Sequence, residues 1–204
     1  MNIKSKIFNL EQIKKKIQIE KNKNKKIIHC HGVFDVLHFG HIKHFKSAKK
    51  LGDFLVVSIT SDKFVNKGKE RPIFNSDIRA EVLESIQTID AIYINKDKTP
   101  INFIKQIKPH IYFKGPDYKK MRIDKTKNII KEKKAVEKSG GKIKFSEDET
   151  FSSSKIINNH LNLFNEKQKL FIRNISKKYD FKKINHYVSK LKNLKVLLLG
   201  ETIL

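Results

Sequence analysis

The chain has 204 residues, 38% of them hydrophobic, enough for one well-buried core and a short appendage but crowded for two full domains. Its formal net charge of +24 attracts phosphorylated molecules and polyanions, yet the lysines are spread along the chain and not interleaved with aromatics, so a nucleic-acid partner is not expected. The single cysteine, Cys30, excludes an internal disulfide, no signal-peptide pattern opens the chain, and runs such as "FLVVSIT" fall far short of a bilayer span, so a cytoplasmic protein with no membrane partner is expected.

In chain order, Asn9 stands as an N-cap ahead of Leu10, Ile13 and Ile17, which predicts a basic amphipathic helix over 9–19 within a lead-in at 1–24. From residue 27, short apolar runs alternate with helical stretches, the pattern of β-α-β units and a parallel sheet. Strands are predicted at 27–31, 54–60, 91–94, 110–113 and 142–146. Between them Ile42, Phe45, Ala48 and Leu51 form a helical stripe that stops at Gly52. Ser76 caps a helix carrying Ile78, Val82, Leu83 and Ile86, and Thr99 with Pro100 supplies a cap and an N1 proline ahead of Ile101, Ile104 and Ile107. This α/β fold, with helices on both faces of its sheet, occupies 25–164. A helical linker follows at 165–192, its apolar positions including Leu170, Phe171 and Ile175, then Phe181, Ile184, Val188 and Leu191. Residues 193–204 carry a fresh strand-like run, which reads as the opening of another α/β unit.

In an open parallel sheet, ligands bind beyond the carboxyl ends of the strands. "HGVFDVLHFGH" follows the first strand, "SDKFVNKGK" the second, "KGPDYKK" the fourth and "EDETFSSSK" the fifth, so four loops converge on one rim. Gly32 and Gly40 permit close backbone approach, and the helix beginning near His41 offers unpaired N–H groups to an anion. His38 and His41, three apart, can aim imidazole donors at one phosphate, where each donor is worth roughly 3–4 kcal/mol as charge develops. Two other readings compete. Zinc would use His38, His41 and His44, but no cysteine or carboxylate joins them at a ligand spacing. A core role suits His29, His44, His110, His160 and His186 better, and Cys30 reads as a small strand residue.

"GVFDVLHFGH" resembles the H-x-G-H signature of the cytidylyltransferase-like nucleotidyltransferases, and "FSSSK" resembles their second signature. The resemblance covers residues 25–162, with "LGDFLVVSITSD", "RPIF", "DIRAEVL", "KPHIYFKGPDYK" and "SGGKI" similar to the heptose-phosphate adenylyltransferase branch, and "GHIK" and the length similar to glycerol-3-phosphate cytidylyltransferases. It implies a Rossmann-like fold and transfer of a nucleoside monophosphate from CTP or ATP to a phosphorylated sugar or polyol, with pyrophosphate released and Mg²⁺ held through the phosphates. On that resemblance His38, His41 and Lys67 are catalytic. Gly32, Val33, Phe34, Gly40, Lys114, Gly115, Asp117, Ser152, Ser153 and Ser154 line the nucleotide. Asp35 orients the loop or the acceptor; Lys69 is an alternative to Lys67; Arg79 is either an anion contact or a structural ion pair. "KGPDY" is otherwise a tight Gly-Pro turn.

"LKVLLLGETIL" resembles the first strand of ribokinase-type sugar kinases, which implies a fused or associated kinase supplying the acceptor; a homodimer is also expected. The alternative function is a basic nucleotide- or nucleic-acid-binding module that has kept the fold and not the reaction.

Overall fold

The computed structural model describes residues 5–68, 71–116, 128–147, 166–191 and 194. The chain divides into two units, 1–156 and 157–204.

In the first unit a five-stranded sheet is built from β1 (Ile27–Gly32), β2 (Phe54–Thr60), β3 (Ala91–Asn95), β4 (Ile111–Lys114) and β5 (Lys142–Phe145). Neighbouring strands pair in parallel in the order β3-β2-β1-β4-β5. The chain winds from β1 out to β3 and then returns to lay β4 against the other side of β1, so the winding reverses between β1 and β4. That reversal opens a crevice at the carboxyl ends of these two strands, where the loop after β1 emerges.

Strands β1 to β4 are largely buried on both faces because helices cover both, whereas the edge strand β5 buries no residue. On one face Ile28 and Cys30 of β1 and Leu55 and Val57 of β2 pack with Phe45 and Ala48 of α2 (Phe39–Lys49) and Ala80 and Leu83 of α3 (Ser76–Glu84). On the other, Ile27, Phe54, Val56 and Ala91 meet Ile13 and Ile17 of α1 (Leu10–Asn22) and Phe103 and Ile107 of α4 (Ile101–Ile107). Ile104 and Tyr112 extend this second layer to Ala135 and Val136 of α5 (Asn128–Lys138). The fold is the Rossmann-like α/β architecture that the sequence implies.

Three local expectations change. The described part of the 1–24 lead-in is no separate appendage: Ile13 is fully buried and Ile17 nearly so, and Ile7 bridges Ile92 in parallel beside the sheet. Asn75, not Ser76, caps α3, because its side chain accepts the Ile78 N–H at 2.9 Å. Pro100 occupies the N-cap of α4 rather than its first turn, its carbonyl accepting the Ile104 N–H at 2.8 Å. Each is a one-residue shift or a tertiary contact that periodicity does not encode.

The second unit contains α6 (Glu166–Lys178) and α7 (Phe181–Leu191), the latter started by the Asp180 carboxylate accepting the Lys183 N–H at 2.7 Å. Neither helix buries a residue. Ile175, Tyr179, Ile184, Tyr187, Val188 and Leu191 line an apolar cleft of about 360 Å³. No helix among the described residues is long and apolar enough to cross a membrane.

Candidate active site

Four strand ends meet at the carboxyl edge: Gly32, Thr60, Asn95 and Lys114 close β1 to β4. After Gly32 the chain turns sharply, and Phe34 adopts φ +50°, a left-handed conformation that bulky residues rarely take. Packing compensates for that strain. The Phe34 ring is 8% exposed and lies 5.2 Å from Phe45 and 5.4 Å, edge-on, from the His41 ring. A β-carbon at residue 32 would meet Phe34 Cζ at 2.9 Å, so Gly32 is required by its own neighbour. The sequence assigned that glycine to close ligand approach; the Phe34 ring adds a packing reason for it on the β-carbon side.

His38 is the N-cap of α2. Its Nδ1 accepts the Gly40 N–H at 3.1 Å, while its own N–H donates to His41 Nδ1 at 3.4 Å, a capping box made from two imidazoles that stack 4.0 Å apart. With both Nδ1 atoms accepting, neutral rings carry their protons on Nε2. Neutrality follows from burial, which holds His38 below its ordinary value and pushes His41 down to about 3, with His38, His44 and Lys67 adding to the His41 shift. The pair therefore offers two uncharged N–H donors at a helix N-terminus near neutral pH.

Lys67 lies within electrostatic reach of His41, so the structure brings two of the three residues assigned to catalysis together with the third, His38. Crowding by protein lowers the Lys67 ammonium, the Arg71 guanidinium lowers it further and Asp35 opposes both. Asp35 is 4% exposed and holds the loop: Oδ1 accepts the Ile73 and Phe74 N–H groups at 2.8 and 3.2 Å, and Oδ2 accepts Arg71 Nε at 2.5 Å. Asp35 thus ties the loop after β1 to residues 71–74.

Arg79 takes the structural course. It is 2% exposed, and its guanidinium donates to the carbonyls of Phe74 (2.9 Å), Val33 and Thr60 (2.9 Å) and to Asp62 Oδ1 (2.6 Å). Those bonds knot the ends of β1 and β2 to the segment before α3, so the acceptor-binding assignment of Arg79 gives way to a scaffold role. Lys114 is also buried, 3.5 Å from Glu132 Oε2 and 3.4 Å from the Tyr112 hydroxyl. Gly115 follows it in open space, with nothing within 4 Å of a would-be β-carbon. Lys69, Asp117, Ser152, Ser153 and Ser154, with His160, lie outside the described residues.

Beneath the loop runs a polar chain of which the sequence assigned only His29, to the core, where it is fully buried. Ser58 Oγ sits 2.8 Å from both His29 Nε2 and His31 Nδ1; His31 Nε2 is 3.3 Å from Thr60 Oγ1, which donates to the Gly32 carbonyl at 3.4 Å. One proton order satisfies every link: His29 to Ser58, Ser58 to His31, His31 to Thr60 and Thr60 to Gly32. Burial pushes His29 down to about 3 and His31 well below its usual value, the Lys114 charge adding to both, so the chain is neutral. Burial also raises the Cys30 thiol, which suits an inert strand residue. Among the described residues no three His, Cys, Asp or Glu side chains gather as metal ligands. The only signal for Ser58 and Thr60 was their place at the end of an otherwise apolar strand; for Arg71 it was the stretch "RPIF".

The cytidylyltransferase-like family model matches residues 29–159. The chain belongs to this family of nucleotidyltransferases. Among curated relatives, it is 41% identical over 119 residues to the bifunctional protein HldE of Aliarcobacter butzleri, covering 57% of this chain and 25% of that one. It is 37% identical over 141 residues to the bifunctional protein HldE of Pelobacter propionicus, covering 68% and 28%. Both alignments span less than a third of the relative's length. Among solved structures, the lipopolysaccharide core biosynthesis protein of Thermoplasma volcanium superposes with a TM-score of 0.50 at 25% identity, covering 63% of this chain and 99% of that one.

Proposed function

We propose that the domain transfers a nucleoside monophosphate from CTP or ATP to a phosphorylated sugar or polyol. The observation that carries this is the His38–His41 capping pair at the N-terminus of α2, beside Lys67 and at the sheet's reversal point. An acceptor phosphate oxygen attacks the α-phosphorus, the bond from that phosphorus to the bridging oxygen breaks, and pyrophosphate leaves with the bonding pair. The acceptor dianion needs no general base, so neutral histidines suffice: they donate from Nε2 to oxygens whose negative charge grows. Lys67 supplies the full positive charge. The backbone at Val33 and Phe34, and Gly40, Lys114, Gly115, Asp117 and Ser152 to Ser154, are assigned to the nucleotide on the family resemblance.

Magnesium would come to this site as a passenger on the nucleotide: with the Asp35 oxygens engaged by Arg71, Ile73 and Phe74, it would be held through phosphates and water and would supply neutralisation of the triphosphate charge. The Thermoplasma volcanium protein's association with lipopolysaccharide core biosynthesis supports a sugar phosphate over a polyol phosphate. The whole protein is proposed to act in the cytoplasm as a homodimer with a fused or associated sugar kinase.

The test is a pyrophosphate-release screen crossing four NTPs with sugar 1-phosphates and polyol phosphates in the presence of Mg²⁺. Release should require one base and one acceptor class. Silence across the panel, with nucleic-acid binding that collapses as salt rises, would instead support the non-catalytic module to which the +24 charge points.

A further inference from the structure

Arg71 has no place in the reaction as drawn so far, yet its environment is unusual. Its side chain is 5% exposed and that of its partner Asp35 is 1% exposed. Nε is engaged by Asp35 Oδ2, but Nη2 is buried and has no hydrogen-bond partner among the described residues. Buried donors are almost always matched, and a charged donor left unmatched loses its hydration without recompense. The two-pronged pairing that an arginine makes with a carboxylate is not formed, because Asp35 Oδ1 is taken by the Ile73 and Phe74 N–H groups.

A second observation lies next door. The Lys67 ammonium lies within charge range of both the Arg71 guanidinium and the His41 imidazole, and Lys67 and Arg71 stand four residues apart between β2 and α3. Two cations are drawn together here against one carboxylate, an arrangement that repels itself until an anion arrives.

We infer that Arg71, held in place by Asp35, binds the phosphate of the acceptor, while Lys67 is shared between that phosphate and the nucleotide. This rests on the nucleotidyl-transfer reading and adds to it the residue that receives the second substrate. The histidine pair and the helix N-terminus suit the triphosphate, which leaves the unmatched Nη2 of Arg71, in the same segment as Lys67, for the incoming phosphate. A planar guanidinium suits the peripheral oxygens of a phosphomonoester, leaving one oxygen to attack. Asp35 is a positioning residue: pinned at Oδ1 by two backbone donors, it fixes the guanidinium plane.

The experiment measures binding to the full chain by calorimetry, using glucose 1-phosphate, glycerol 3-phosphate and inorganic phosphate as phosphomonoester and phosphate probes, and α,β-methylene ATP and CTP as unreactive nucleotides. Arg71→Gln should weaken the phosphomonoester by about tenfold or more while the nucleotide changes by less than about threefold. Arg71→Lys, which keeps a cation beside Asp35 and loses the fork, should fold like the parent by circular dichroism and show the same selective loss. Absence of phosphomonoester binding to the parent, an unchanged affinity in both variants, or a parallel loss of nucleotide would each overturn the assignment. The two readings fail separately: selective loss without pyrophosphate release from any acceptor keeps the Arg71 site and removes the transferase, whereas release with an acceptor KM untouched by Arg71→Gln does the reverse.

Discussion

Phe34 and Gly32 are locked together: the ring of one occupies the space that a side chain on the other would need, at 2.9 Å. That contact also fixes the ring against which His41 stands edge-on. Gly32→Ala should therefore destabilise the fold by about 1–3 kcal/mol, as overpacked sites do, and should lower pyrophosphate formation beyond what unfolding explains. Urea denaturation and turnover on the same preparation separate the two effects.

His41→Ala should lower turnover by about 10²–10³-fold, the usual cost of one donor to a developing oxyanion, with an unchanged far-ultraviolet spectrum. Because the His41 imidazole titrates near 3, it is already neutral at pH 6. A pH–rate profile should show no limb from its protonation between pH 6 and 8; a limb there that vanishes in the variant would contradict the neutral-donor role.

Arg79 holds three backbone carbonyls at once. Arg79→Met removes the donors of these carbonyls, while Asp62 keeps its bonds from Ser76, and should cost about 1–3 kcal/mol, the range for a buried polar group left unmatched. The denaturation midpoint should fall with the parent's m-value. A variant as stable as the parent would return Arg79 to the list of anion contacts.

Stability should depend on pH through His29. Its folded value is about 3 against an unfolded value of 6.5, so between those limits the unfolded chain binds a proton that the folded chain refuses. Stability is full above 6.5 and declines as pH falls toward 3, by about 1.4 kcal/mol per pH unit for this residue alone. His31 and His41 shift in the same direction and steepen the decline. His29→Gln should flatten the plot of denaturation midpoint against pH from 7.5 to 5.

The strands and most helices were legible because they depend on local pattern: alternating apolar runs, glycine stops, residues fit to cap. Even so, Asn75 and Ser76 are both good caps, and only the backbone decides whose oxygen reaches Ile78. The histidine signature announced an anion site, and the structure does place His38, His41 and Lys67 within reach of one another. What stayed hidden lives in long-range pairing. Asp35 and Arg71 lie on separate loops, and no periodicity links them. The positive φ of Phe34 has no signature either, because a phenylalanine there exists only by virtue of Gly32, His41 and Phe45 around it. Arg79 stayed open for a related reason: an arginine in a basic chain reads equally as an anion contact or a structural ion pair until its carbonyl partners fold around it.

The burial of α1 bears on anyone who trims or recombines this protein. The family match begins at residue 29, beyond the whole of that helix and inside the first strand. A chimera joined at that point would unroof Phe54, Val56 and Ala91 and expose greasy surface to solvent, trading a clean domain for a sticky one. The evolutionary seam and the mechanical seam fall at different places, and a donor fragment for grafting has to start at the second.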